Sequence, residues 1–278
     1  MINTLVSLDA DLASSIAFRY SCRLTQVMDM HLQTIHVEEV EKEGYPPGSG
    51  WVRATWEKGL LQTAQEEITQ LINADKPNCH TLDNAIVRIG DREEELLREI
   101  DENSYDLLVE GVLNSYDGQL FHKKVRSKLY KYARCPILLV KNLVTPERIA
   151  LVVNDGQDVD PIVTMATKIL NTARISINLV GIAVKKAGQA DVHKKATDAT
   201  PDELEPLGAV MEAASSQLAQ QGVTLGERWV IRDTPKKMGE LLGEYGLVAA
   251  CISGNTAKKT MVMDLLSRVP TATLLCKQ

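Results

Sequence analysis

The sequence predicts an α/β protein of two tandem doubly wound units, residues 1–143 and 147–278, each with a five-stranded parallel-type sheet. Three observations lead there. Short apolar runs alternate with segments of helical periodicity along the chain, the pattern that builds parallel sheets covered by helices on both faces. The alternation restarts after "NLVTPE". The 278 residues, 44% hydrophobic and 24% charged, suffice for two cores of ordinary domain size.

In the first half, "INTLVSL" reads as a strand and "DLASSIAFRYSCRLTQVMD" as a helix, with apolar residues near helical spacing. "HLQTIHV" is the next strand, closed by a loop with Pro46, Pro47, Gly48 and Gly50. "WVRATWEKGLLQTAQEEITQLINA" is a long amphipathic helix. The strand "NAIVRI", the helix "REEELLREIDEN", the strand "YDLLVEG", a helix around "KVRSKLYKYA" and the strand "PILLVK" complete the half. Asp91, directly before "REEELL", is placed to cap that helix.

The second half repeats the order. "RIALVVN" is a strand, "VDPIVTMATKILNTA" a helix and "ISINLVGIAV" a strand, followed by a polar stretch from Lys185 to Thr200 that reads as a solvated loop. Then come the helix "ELEPLGAVMEAASSQLAQQG", the strand "RWVI", a helix opened by Thr234 as cap with Pro235 at its first position, the strand "LVAACIS", a helix, and "ATLLCK". Subtraction supports the repeat: Asp9 and Asn154 are 145 apart, Asp91 and Asp233 are 142 apart, and so are Gly111 and Ser253. Cys135 and Thr271 are 136 apart, so the second half has lost six residues between its fourth strand and its last helix.

A net charge of -6 argues against a general nucleic-acid binder, which needs a basic face to neutralise phosphates. The chain has no apolar run long enough to span a bilayer, and "MINTLVSLDADLASS" has neither a basic n-region nor a cleavage site, so a soluble, cytoplasmic protein is expected. Five scattered cysteines without a C-x-x-C pair read as thiols in a reducing compartment, and Cys79-His80 as neighbours pointing to opposite faces rather than a metal pair. His36 reads as a satisfied, half-buried histidine, and His122 and His193 sit in polar contexts. Phe18 with Tyr20, and Trp51 with Trp56, read as helix-face packing. No catalytic motif and no metal-binding spacing emerges.

A first strand ending in Asp9, a second reading "IHV", "VRIGDREEELLREIDENSYDLLVEG" and "ARCPILLVK" together resemble a tandem universal stress protein, over nearly the whole chain. The nucleotide-binding branch of that family carries, after its fourth strand, Gly, two residues, Gly, nine residues, Gly, then Ser or Thr. The resemblance places Asp9 and Val37 on the adenine side of such a site and Gly111 at its first phosphate glycine. The rest departs: Leu113 and Asn114 lie where the second glycine belongs, Gly118 is out of register, and Lys123 and Lys124 occupy the Gly-Ser positions. Those lysines are expected to open a helix and to replace backbone amides as point charges on a phosphate. In the second half Asn154 replaces the Asp, Gly181-Ile182-Ala183 replaces the strand end, and "SGNTAKKT" leaves no room for the loop. Its Gly254, Lys258, Lys259 and Thr260 lack the Gly-Lys-Thr ending of a Walker loop.

The resemblance implies a stress-response ligand-binding or signalling module, holding an adenine nucleotide such as ATP with Mg2+ in the first unit only. The alternatives are an interaction or scaffold protein whose eroded loops hold no nucleotide, and a slow ATP hydrolase. It also implies that "PILLVK" and "TATLLCK" pair across a pseudo-two-fold, so that one chain imitates a dimer, and that two chains associate through the remaining surfaces.

Overall fold

The computed structural model describes residues 1–40, 50–75, 79, 82, 84–113, 118–144, 146–252 and 260–277. Pro46, Pro47, Gly48, His80, Asn114, Ser253, Gly254, Lys258 and Lys259, named above, lie outside the described residues.

The first half contains β1 (Ile2–Ser7), α1 (Leu12–Val27), β2 (Met30–Glu38), α2 (Trp51–Asp75), β3 (Ile86–Ile89), α3 (Arg92–Asn103), β4 (Leu107–Gly111), α4 (Gln119–Val125), α5 (Lys128–Tyr132) and β5 (Ile137–Val140). The second contains β6 (Arg148–Asn154), α6 (Asp160–Met165) continued by a π-helical stretch (Ala166–Leu170), β7 (Ser176–Val184) and β8 (Val192–Lys195). It ends with α7 (Pro201–Leu204), α8 (Leu207–Gln220), β9 (Leu225–Asp233), α9 (Pro235–Leu242), β10 (Leu247–Ile252), α10 (Met261–Arg268) and β11 (Ala272–Lys277).

The eleven strands of the described residues form one sheet, ordered β3-β2-β1-β4-β5-β11-β10-β6-β7-β9-β8. Two five-strand parallel runs, β3-β2-β1-β4-β5 and β11-β10-β6-β7-β9, meet at the antiparallel pair β5–β11, and β8 joins the edge antiparallel to β9. In each half the order reverses at the first strand: β1 lies between β2 and β4, and β6 between β7 and β10. Such switch points open a crevice beyond the carboxyl ends of the strands.

Because side chains alternate along a strand, Leu5 and Val6 enter different cores. The two cores therefore divide by sheet face. One lies under α1, α2, α6 and α8, with Phe18, Ile68, Ile162 and Leu218; the other lies under α3, α4, α5, α9 and α10, with Leu96, Phe121, Met238 and Leu265. Each runs through both halves.

At the seam, Leu138 faces Leu274 directly, and these two residues are 136 apart, the same offset as the final strands, so the strand order on one side mirrors that on the other about this pair. Two equivalent lysines clasp across it. Lys141, buried after β5, donates to the carbonyls of Leu266 (2.6 Å) and Val269 (2.8 Å) at the end of α10. Lys277, at the end of β11, donates to those of Lys131 (3.1 Å) and Ala133 (2.6 Å) at the end of α5. Each ammonium satisfies carbonyls that a helix C-terminus leaves unpaired, at the end of the macrodipole that favours cations.

Three expectations are corrected. The polar 185–200 stretch contains β8, an edge strand paired with β9; it is polar because only Val192 turns inward, while Lys194 and Lys195 pair with Glu203 and Glu227. The helix around "KVRSKLYKYA" is two helices, because Ser127 takes the N–H of Tyr130 and starts a new one. The cysteines are not five separate thiols: Cys22 is bonded to Cys79 and Cys251 to Cys276, leaving Cys135 free and buried. The Cα separations of 4.7 and 4.5 Å lie in the range a disulfide requires, and Cys251 and Cys276 are register partners on adjacent strands.

Candidate functional site

The switch point of the first half carries a chain of charges. Asp91 caps α3, accepting from the Glu94 N–H at 2.9 Å, and so sets Arg92 as the first residue of the helix. Its guanidinium lies over the ends of β1 and β4. Nε donates to Asp9 Oδ2 (3.2 Å), and Nη2 donates to Ser7 Oγ (2.7 Å) and Glu110 Oε1 (2.8 Å). Lys124 Nζ reaches the same Glu110 oxygen at 2.9 Å. Glu110, on β4, is 2% exposed. Burial alone pushes its carboxyl up, but Arg92 and Lys124 outweigh burial and hold it below the ordinary range.

His36 extends the chain on β2. Its Nδ1 lies 2.8 Å from the Leu8 carbonyl and 3.7 Å from Asp9 Oδ1, and its Nε2 lies 3.3 Å from Glu38 Oε2. Both ring nitrogens face acceptors, which only the imidazolium satisfies, since it alone donates from both. Asp9, first among the causes, pushes its pKa up to about 9. Burial raises the Asp9 carboxyl, and His36 and Arg92 overcome it to hold the group below its usual value. Three carboxylates (Asp9, Glu38, Glu110) thus meet three cations (His36, Arg92, Lys124), and the site neutralises itself.

The residues expected to hold a nucleotide divide into two groups. On the base side, Asp9 follows β1 as expected, and Val37 is buried on β2, paired with Arg88 of β3. The β1–β2 ladder ends at Ser7 and Ile35, after which the Ile35 carbonyl accepts from Leu8 N–H. Backbone groups alternate sides along a strand, so the N–H and C=O of Val37 point past the last rung, toward the crevice.

On the phosphate side the described residues serve other contacts. Lys123 and Lys124 sit in the last turn of α4, not its first, because the helix opens at Gln119 with Gly118 as cap. There they complement the dipole, so no anion is needed to relieve them. Lys123 is exposed, and Lys124 is committed to Glu110. Gly118 has φ +69°, and a Cβ on it would lie 2.7 Å from Ser267 of α10, so its lack of a side chain serves the turn and the packing of the two halves. Gly111 is crossed by the first turn of α1: a Cβ there would lie 2.8 Å from Ser14 N, with the Ala13 carbonyl closer still. Both glycines are accounted for by packing.

Sequence reasoning missed Arg92, Glu110 and Ser7. A signal existed for one of them, because Glu110 is a lone carboxylate inside the apolar run "LLVEG" and a buried strand carboxylate requires a cation. In the second half, Asn154 takes the Asp9 position, but its N–H donates to Gln157 Oε1 (3.0 Å) and its Nδ2 to the Asp155 carbonyl (3.1 Å), both within its own loop. Thr260 caps α10, accepting from Met263 N–H. Among the described residues no cluster of three or more His, Cys, Asp or Glu is arranged to hold a metal ion.

No protein-family model matches the chain, and no curated protein matches it. Solved structures do. A candidate universal stress protein from Pseudomonas aeruginosa UCBPP-PA14 is similar over 100% of this chain and 93% of its own, at 12% identity and a TM-score of 0.59. A functionally unknown protein from Pseudomonas aeruginosa PAO1 covers the same 100%, with 92% of its own length, 14% identity and a TM-score of 0.58. A universal stress protein from Archaeoglobus fulgidus DSM 4304 matches 100% of this chain and 96% of its own, at 14% identity and a TM-score of 0.57. At these identities the likeness is one of fold, and the fold of this chain is that of the universal stress protein structures, with a parallel-dominated sheet and helices on both faces.

Proposed function

We propose that the chain is a signalling or interaction module of the universal stress type, made of units 1–143 and 147–278 that imitate a dimer within one chain, and that its first-half crevice is closed to triphosphates. The observation that carries this reading is the Glu110 carboxylate, buried and shared by Arg92 and Lys124. The cation expected to meet a phosphate is spent on the protein's own anion. An incoming triphosphate would have to share Lys124 with Glu110, and like charges so close to a buried carboxylate repel strongly. ATP with Mg2+ is accordingly not a ligand, and slow ATP hydrolysis is not an activity. Isothermal titration with ATP and Mg2+ is the test: no saturable heat supports the closed crevice, and one site per chain overturns it.

A second reading has its own support, the Val37 backbone edge beyond the β1 ladder. It favours a small ligand recognised through an adenine-like base without a phosphate chain. Adenosine should then raise the melting temperature saturably, and Val37→Pro, which removes the N–H, should abolish the effect. A homodimer through the outer surfaces and a role in stress belong to the same proposal. The two disulfides count against the reducing compartment, whereas among the described residues no helix is long and apolar enough to cross a membrane.

A further inference from the structure

Beside the seam the two halves differ in what fills the space next to α1 and α6. The 145-residue offset maps α1 onto α6 and its π-helical continuation: buried Ala17, Phe18 and Ser21 correspond to buried Ile162, Val163 and Ala166. Arg19 and Arg23 of α1 then correspond to Thr164 and Lys168. On the α1 side, the chain leaving β5 fills the space between helix and strand ends. Arg23 Nη1 donates to the Leu143 carbonyl (2.6 Å), and Asn142 Nδ2 donates to the Pro270 carbonyl (2.7 Å).

On the α6 side the equivalent space is a groove of about 510 Å³. Its floor is one face of the helix, Asp160, Pro161, Thr164, Met165 and Lys168, and its wall is the bend at Cys135 and Pro136 with the end of β11. Thr164 is short where its counterpart is an arginine, which keeps the groove open. That volume suits a small molecule, and apolar lining with few charged groups at one end is the usual make-up of a ligand site.

The charges sit at one end. Lys168 and Lys277 line the groove together with Cys135 and its chain neighbour Arg134, and Asp106, the partner of Lys168, lies at the same end. Lys277 uses two of its three protons on the Lys131 and Ala133 carbonyls, so one donor remains. Lys168 pairs with Asp106 at 2.8 Å but is 56% exposed and can turn to an anion. Asp160, the one acid of the lining, lies two helical turns away from Lys168 and is held by Gln217.

We infer that this groove is a binding site for a small organic anion with an elongated apolar body, its carboxylate or equivalent group at Lys168 and Lys277 and its body along Thr164 and Met165. The site is separate from the first-half crevice and does not depend on the reading given to that crevice.

Octanoate is the probe, titrated calorimetrically into the full chain, with octanol as the neutral control. One saturable octanoate site per chain is expected, with octanol at least about tenfold weaker, a difference of one good ionic contact. Thr164→Trp fills the groove and should abolish binding. Lys168→Met, at an exposed position that folding tolerates, should weaken it about tenfold. Absence of saturable octanoate binding overturns the site. Equal affinity in Lys168→Met, or octanol binding as tightly as octanoate, overturns the anion specificity and with it the inference.

Discussion

Replacing Glu110 with Gln keeps the shape of the side chain and removes the negative charge that Arg92 and Lys124 share. Removing one partner of a buried ion pair costs about 3–5 kcal/mol, because the other charge stays buried without compensation. Here Arg92 retains Asp9 and Ser7, and Lys124 is 30% exposed, so it can turn to water. The lower end applies, about 3 kcal/mol. For a chain of this size a loss of that order lowers the melting temperature by roughly 6–12 °C. Urea denaturation of Glu110→Gln, Lys124→Met and the double variant measures it. The double variant should recover about 1 kcal/mol or more relative to the sum of the singles, the sign of direct coupling between contacting groups. A cost below about 0.5 kcal/mol for Glu110→Gln, typical of an ordinary surface change, would refute the buried charge chain.

The remaining expectations concern protons, the seam and the cysteines. The folded pKa of His36 is raised from 6.5 to about 9, so the folded state holds the proton more tightly than the unfolded chain. Its contribution is complete below pH 6.5 and is lost as pH rises through 9, and His36→Gln should remove that part of the fall in a stability–pH profile. Lys141 has the opposite sign: burial outweighs the two carbonyls its ammonium donates to and pushes its pKa down to about 7, so the unfolded chain binds the extra proton and stability rises from pH 7 toward 10.5, a rise absent in Lys141→Met. Lys277→Met should cost about 1–3 kcal/mol, the worth of a charged group's lost hydrogen bonds, and should speed amide exchange at the end of α5 in the opposite half. Alkylation of the unfolded, unreduced chain should label Cys135 alone; labelling of all five cysteines would restore the reading of separate thiols.

Most of the fold is legible in the sequence because local signals and tertiary structure agree. Asp91 before "REEELL" and Thr234-Pro235 before a helical period are caps whose side chains do accept the expected N–H groups. The final strands both end in lysine at a fixed offset, and the clasp gives that repeat its reason. What could not be read was set by neighbours distant in sequence. The start of α4 depends on Gly118 in a left-handed conformation with no side-chain cap, so the lysines that follow were placed a turn too early. Strand β8 looks like a loop because an edge strand needs only one inward residue, and its lysines find partners from β9 and α7. In the crevice, Asp9 and Val37 fall where the resemblance puts them, but Glu110 and Arg92, 18 residues apart in sequence, meet only once α3 is docked over β4. The paired cysteines escaped notice for the same reason, since separations of 57 and 25 residues carry no local spacing.

Native mass spectrometry of the intact chain with ATP and Mg2+ tests the closed crevice most directly. A crevice neutralised by its own Asp9, His36, Glu38, Arg92, Glu110 and Lys124 predicts the unliganded mass at every ATP concentration. One ATP per chain, lost in Asp9→Ala, would contradict it and show that the charge chain opens for a phosphate.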